Sequence, residues 1–254
     1  MTLILNEIHL QNGMKKTFII AAADRRISKP NGTFDSIKRK VFGIPYFNGA
    51  VSYFGLAVVY PKGNQQYIST WLPSFVRRQY TTDSLKSFAE NLRDELNKIV
   101  PSSILKNNPS GFHICGYESS GLPDFYYLSN CRLGIFKYVD LKPRYKPPES
   151  HFLSRDASEV FNWDGINPLS AKCGVLTYRH GDFRAHVAAW ESLDKILKKM
   201  FQFPDFKQPS SPSEYKEYVK FKFEFIAFLY KKWADRKIIG RPIDVLVLNP
   251  PKKN

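Results

Sequence analysis

Cysteine is scarce in this chain: Cys115, Cys131 and Cys173 are the only three among 254 residues. Their number is odd and none of the paired short spacings of zinc sites occurs, so a disulfide framework and a zinc module are both set aside in favour of buried thiols in a reducing compartment. His113 and Cys115 alternate along one apparent strand and share a face, but two ligands without a second pair do not make a metal site. A long apolar run is also missing. Nothing approaches the roughly 18–20 uncharged apolar residues that span a bilayer, and no basic segment followed by an apolar signal core opens the chain. The expectation is a cytoplasmic protein that neither enters a membrane nor carries a cofactor or metal.

Acidic residues are outnumbered, 23 against 38 Lys and Arg, and the net charge of +15 attracts polyanions at low salt. The basic residues are spread along the whole chain, with no Gly-rich RNA signature, zinc knuckle or helix-turn-helix spacing among them, so a solvated basic surface is preferred to a nucleic-acid interface. No composition break divides the chain, and residues 1–254 are read as one domain.

What is present is β structure first. Residues 2–10, TLILNEIHL, and the run KKTFIIAAA flank Asn12-Gly13, the strongest short hairpin signal. A two- or three-residue turn there pairs positions whose numbers sum to about 25 or 26, which sets Thr2 beside Ala23 or Asp24; the choice between the two stays open. A further β segment is expected around residues 37–44, and the small apolar run AVSYFGLAVV follows Asn48-Gly49. Leu85, Phe88, Ala89, Leu92, Leu96 and Ile99 form a helical stripe that Asp83 can cap. GFHICGY and DFYYLSN read as a hairpin, and residues 140–164 as a surface excursion rich in Pro, Ser and charge. A second stripe starts after Asp182, itself read as a helix cap with His186 as an ordinary face residue. A third helix begins at the Ser211-Pro212-Ser213-Glu214 capping box, with Tyr215, Val219, Ile226, Leu229 and Trp233 expected inward, and IDVLVL closes as a buried strand. Strands grouped apart from helices predict an α+β fold of antiparallel sheets covered by helices.

Thr2 follows the initiator Met1, and its small side chain permits trimming of that methionine. A free N-terminal threonine carries a hydroxyl nucleophile and, in its own α-amine, a base that works near neutral pH. MTLIL, AAADRRIS, SIKRKVFGIP and VSYFGLA resemble, in order and spacing, the first four strands of the proteasome-like N-terminal-nucleophile (Ntn) hydrolase family. ICGYESSGLPDFYYLSN and IGRPIDVLVL resemble a hairpin and the C-terminal strand of that family, whose Gly-Ser-Gly segment is missing here, residues 140–164 standing in its place.

The resemblance implies a four-layer αββα sandwich. It makes Thr2 the nucleophile, Asp24 of an Asp-x-Arg segment and Lys38 its charge relay, with Lys40 in the lysine's role if the strand slips by two, and Gly55 the donor to the oxyanion. It further implies an amide or peptide substrate, a threonine-type peptidase or amidohydrolase, and a homo-oligomer. Two readings from other classes stand beside it: a non-catalytic structural or interaction subunit of the same fold, and a basic nucleic-acid-binding protein.

Overall fold

The structure is a computed structural model that describes residues 2–11, 16–29, 33–134, 137–150 and 174–251. Its long strands are β1 (Leu3–Leu10), β2 (Thr17–Asp24), β5 (Val41–Ile44), β6 (Gly49–Phe54), β9 (Gly111–Tyr117), β10 (Pro123–Ser129), β14 (Gly174–Gly181) and β15 (Ile243–Leu248). Short ribbons lie between them: β3–β4 (Arg26–Ser28, Phe34–Ile37), β7–β8 (Val58–Val59, Gln66–Tyr67) and β11–β12 (Arg132–Leu133, Tyr138–Val139), with β13 (Glu149–Ser150) at a sheet edge. The helices are α1 (Ile68–Arg78), α2 (Leu85–Ile99), the short α3 (Ser102–Leu105), α4 (Glu191–Met200) and α5 (Pro212–Trp233). A π-helical turn, Ala185–Trp190, leads into α4.

The expected α+β class is present. One sheet has the order β14-β1-β2-β15 and the other β13-β10-β9-β6-β5, with antiparallel neighbours throughout. Strand alternation then decides what each face meets. Even-numbered residues of β1 (Ile4, Ile8) join Ile19, Ala21 and Ala23 of β2 in packing against Val41, Ala50, Phe54 and Phe125 of the other sheet. Odd-numbered Leu3 and Leu5, with Phe18 and Ile20, pack instead under Trp190, Val219 and Phe223. The far face of the five-stranded sheet is covered by α1 and α2 through Trp71, Phe75, Phe88 and Leu92. β1 and β2 are buried along their whole length because both faces are covered.

Several expectations are corrected. Leu10 pairs with Thr17 and Ile4 with Ala23, so paired numbers sum to 27 and residues 11–16 intervene, closed by Gln11 N–H donating to the Lys16 carbonyl (2.9 Å). This register sets Ile8 across from Ile19 within the inter-sheet layer, and a slip of one residue would turn one strand's apolar face away from it. The segment around residues 37–44 breaks at Lys38–Lys40 into β4 and β5. Ser84, not Asp83, caps α2 by accepting from Ser87 N–H (3.1 Å). Trp233 is 72% exposed, because the buried stripe of α5 runs through Val219, Phe223, Ile226 and Tyr230. β15 is a partly exposed edge strand of its sheet rather than a buried one.

The capping box Ser211–Glu214 forms as expected, and so does the β9–β10 hairpin. Residues 140–150 contribute only the edge strand β13, although Tyr145 is buried; residues 151–164, and Cys173, lie outside the described residues. Among the described residues, no helix is long and apolar enough to cross a membrane.

Candidate active site at the start of the first strand

Thr2 precedes β1, and continuing the β1–β2 register sets Leu3 across from Asp24, one place diagonal to Thr2. Asp24 ends β2 wholly buried and has donors on both carboxylate oxygens. Oδ1 accepts from the Thr2 hydroxyl, from Leu3 N–H (2.9 Å) and from Lys40 Nζ (3.2 Å), while Oδ2 accepts from Arg26 N–H (3.1 Å) and Gly240 N–H (3.4 Å).

Lys40 supplies the opposite charge. It stands just before β5, where its carbonyl accepts from Tyr53 N–H (3.2 Å), and the residue is 1% exposed. Nζ donates to Thr2 Oγ1, to Asp24 Oδ1 and to the Arg26 carbonyl (2.5 Å). Burial pushes the Lys40 ammonium below the ordinary lysine range, against the raising effect of Asp24's charge. The Thr2 hydroxyl therefore lies between a buried ammonium that donates to it and a buried carboxylate that accepts from it.

Lys38 is elsewhere. Its Nζ stands 4.5 Å from the centre of the Tyr67 ring, and its backbone N–H donates to the Arg25 carbonyl (2.9 Å). The cause is the β3–β4 ribbon, which takes up the chain as far as Ile37 and delays the next long strand to Val41, so the residue entering that strand beside Thr2 is Lys40.

Gly55 lines the same small cleft, about 30 Å³, with Thr2, Lys40 and Tyr53. Its φ of +86° suits glycine, and a Cβ there would come within 1.9 Å of the Pro109 carbonyl, so the backbone alone already requires glycine at this position.

The Thr2 carbonyl accepts from Asp182 N–H (2.8 Å), and Gly181, with φ +117°, comes so close that a Cβ would stand 1.8 Å from the same oxygen. The end of β14 thus fixes the backbone of Thr2. The only sequence signal for this is a Gly-Asp pair between a strand and a helix, which by itself reads as a cap. Asp182 does cap, accepting from Arg184 N–H (3.0 Å), and it also accepts from the Tyr230 hydroxyl (2.7 Å). Burial raises its pKa, but the bonds from Arg184 and Tyr230 outweigh that and hold it below the usual carboxylate range.

His113 and Cys115 share the inter-sheet face as expected. Asn6 engages both, its Oδ1 lying 2.7 Å from His113 Nδ1 and its Nδ2 2.8 Å from Cys115 Sγ. Burial pushes the Cys115 thiol up to about 12, so it stays protonated. No protein-family model matches the chain, and no curated protein matches it.

Proposed function

We propose that the chain is a proteasome-like Ntn hydrolase, a four-layer αββα sandwich that cleaves an amide or peptide bond with Thr2 after Met1 is removed. The observation that carries this reading is the buried run of hydrogen bonds from Lys40 Nζ to the Thr2 hydroxyl and from that hydroxyl to Asp24. An ordinary first residue has no need of an ammonium and a carboxylate on its hydroxyl, both buried at the cost of dehydration.

In the proposed reaction the free α-amine of Thr2 takes the hydroxyl proton as Oγ1 bonds to the substrate carbonyl carbon. Lys40, held by Asp24 and the Arg26 carbonyl, keeps its positive charge beside the developing alkoxide and disfavours protonation of the amine beforehand. The Gly55 amide donates to the oxyanion. Collapse passes the proton to the leaving amine and leaves an ester on Thr2, which water cleaves to restore the hydroxyl.

The narrowness of the cleft favours a second reading. About 30 Å³ has room for little more than a water molecule, which suits a subunit that keeps the ion pair for structure and engages partners elsewhere. Two measurements decide between them: the intact mass of the expressed chain, and turnover of a panel of peptidyl aminomethylcoumarins by the parent, Thr2→Ser and Thr2→Ala. Hydrolysis requires a mass without Met1, retained turnover in Thr2→Ser and a loss of at least about 1,000-fold in Thr2→Ala. A retained methionine, or equal turnover in Thr2→Ala, removes Thr2 as nucleophile.

A further inference from the structure

The opposite face of β1 carries a second buried polar cluster, under α4 and α5. There Glu7 and His9 follow Leu3 and Leu5 on the odd-numbered side, and they are 5% and 2% exposed. Glu7 Oε2 lies 2.9 Å from His9 Nε2, and the imidazole stacks on Phe18 with ring centres 4.2 Å apart and Tyr215 at 4.5 Å. Above them Lys222 of α5, 1% exposed, donates from Nζ to Asp194 Oδ1 (2.8 Å), which also accepts from the Tyr218 hydroxyl (3.0 Å). The same Nζ lies 4.0 Å from the Trp190 ring centre and 4.3 Å from that of Tyr218. Glu7, His9, Phe201, Tyr215 and Tyr218 line a cavity of about 220 Å³.

The two carboxylates are served unequally. Asp194 has a lysine ammonium of the chain, and that ammonium has two ring faces besides. Among the described residues Glu7 has only an imidazole nitrogen: no lysine or arginine pairs with it, and Oε1 makes no hydrogen bond. A carboxylate buried to this degree is costly unless a cation or further donors meet it. Its charge reaches across the cavity. The Tyr215 phenol is pushed up, first by burial and then by Glu7, and the Tyr218 phenol is pushed up by burial, by Asp194 and by Glu7 as well. The wall thus offers a carboxylate oxygen, aromatic faces and shelter from water, the same three things that hold the Lys222 ammonium, with no ammonium of the chain placed against Glu7.

We propose that this cavity binds a small organic cation, a primary or methylated ammonium on a short apolar body, with the ammonium on Glu7 and the body between Tyr215 and Phe201. Its volume is below the ~300–1,000 Å³ of pockets for drug-sized ligands, so the guest is small. An anionic guest would meet Glu7 and Asp194, with Lys222 already engaged by Asp194 and Lys198 exposed at the rim. The inference is independent of the chemistry at Thr2.

The test is calorimetric titration of the full chain with phenethylammonium chloride, against phenethyl alcohol and phenylacetate as neutral and anionic counterparts. The ammonium is expected to bind saturably and at least about tenfold more tightly than either counterpart. Glu7→Gln keeps the shape but not the charge and is expected to weaken ammonium binding by at least about tenfold. Tyr215→Leu keeps an apolar wall without the ring face, and it locates the site if Glu7→Gln does not fold. Absence of saturable binding, equal affinity for the alcohol, or undiminished affinity in the folded variants overturns the proposal.

Discussion

Lys40 Nζ lies 3.2 Å from Asp24 Oδ1, with the lysine side chain 2% exposed and the aspartate side chain fully buried, and the Thr2 hydroxyl bridges the two groups. A pair so placed is worth little as net stabilisation, because dehydrating both ions offsets their attraction, yet breaking it strands one charge in the interior.

Lys40→Met is therefore expected to lower the free energy of unfolding by about 3–5 kcal/mol. If Thr2 is the nucleophile, it also lowers amide turnover by at least about 100-fold. Lys38→Met removes only a partly exposed cation over the Tyr67 ring and is expected to cost about 1 kcal/mol or less, with turnover within about twofold of the parent. Urea denaturation and single-substrate kinetics on both variants check this. The larger effect at Lys38 would contradict the assignment.

The approach of Gly181 to Thr2 gives a second outcome. A Cβ at Gly181 would lie 1.8 Å from the Thr2 carbonyl oxygen, and that obstacle is backbone held in place by Asp182 N–H. Gly181→Ala is expected to destabilise by about 3 kcal/mol or more and to shift Thr2 away from Lys40. Gly121→Ala is the control. With φ +79° and nothing within 4 Å of the added carbon, it meets only the left-handed strain, about 1 kcal/mol. Equal losses in the two variants would show that contact with Thr2 is not the cause.

Much of this arrangement was legible in the sequence and some was hidden by local chemistry. β1, β2, β6, β9, β10 and β15 announce themselves by strand-like apolar runs, and α5 by its capping box, because these signals are local, whereas β14 (GVLTYRHG), with only one buried apolar residue, gives no such signal. The β1–β2 register was not legible: Asn12-Gly13 argues for a tight turn, and the packing of Ile4 and Ile8 against the second sheet excludes a slip of one residue but not of two. Lys38 and Lys40 share a strand face by period, so the sequence could not separate them without the β3–β4 ribbon. Helix α1 is masked in the sequence: Ile68, Trp71, Leu72, Phe75 and Val76 fall on one stripe, but Pro73 interrupts it. The outward position of Trp233 is not legible because the apolar residues of α5 occupy both its faces, with Phe221, Phe225 and Phe228 exposed. The clamp from Gly181 and Asp182 onto Thr2 joins residues far apart in the chain, and no pattern in either segment encodes it.

His186 predicts an acid-sensitive fold. It is 8% exposed, and neither ring nitrogen has a side-chain hydrogen-bond partner among the described residues. Burial pushes its pKa down to about 4. The unfolded chain takes up the imidazole proton below about pH 6.5 while the folded chain does so only near pH 4, so stability is lost as pH falls through that window. The part due to His186 is roughly 3 kcal/mol by pH 4. His186→Leu is expected to remove that part of the decline. Denaturation at pH 7 and pH 4.5 should show a smaller difference for the variant than for the parent, and equal differences would mean that His186 takes up its proton as readily in the fold as in the unfolded chain.

Asp24→Asn is the most demanding case, because the substitution is almost isosteric and yet is expected to be among the most costly. Both carboxylate oxygens accept: Oδ1 from Thr2, Leu3 and Lys40, and Oδ2 from Arg26 and Gly240. An asparagine amide offers one acceptor and one donor. If its nitrogen replaces Oδ1 it faces a backbone N–H and an ammonium, and if it replaces Oδ2 it faces two backbone N–H groups, so neither rotamer satisfies the site. The buried Lys40 ammonium also loses its counter-charge, which drives it toward the neutral amine. The expected loss is about 3–5 kcal/mol of unfolding free energy. Asp244→Asn is the comparison: Asp244 is buried too, accepting from Arg25 Nε (2.7 Å) and Nη2 with Arg39 Nε at 3.8 Å, but the two arginine side chains are 34% and 50% exposed and water can take up their charges, so about 1 kcal/mol is expected. Equal losses at Asp24 and Asp244 in urea denaturation would show that Asp24 and Lys40 are not charged together in the folded protein. That result would remove the electrostatic basis for activating Thr2.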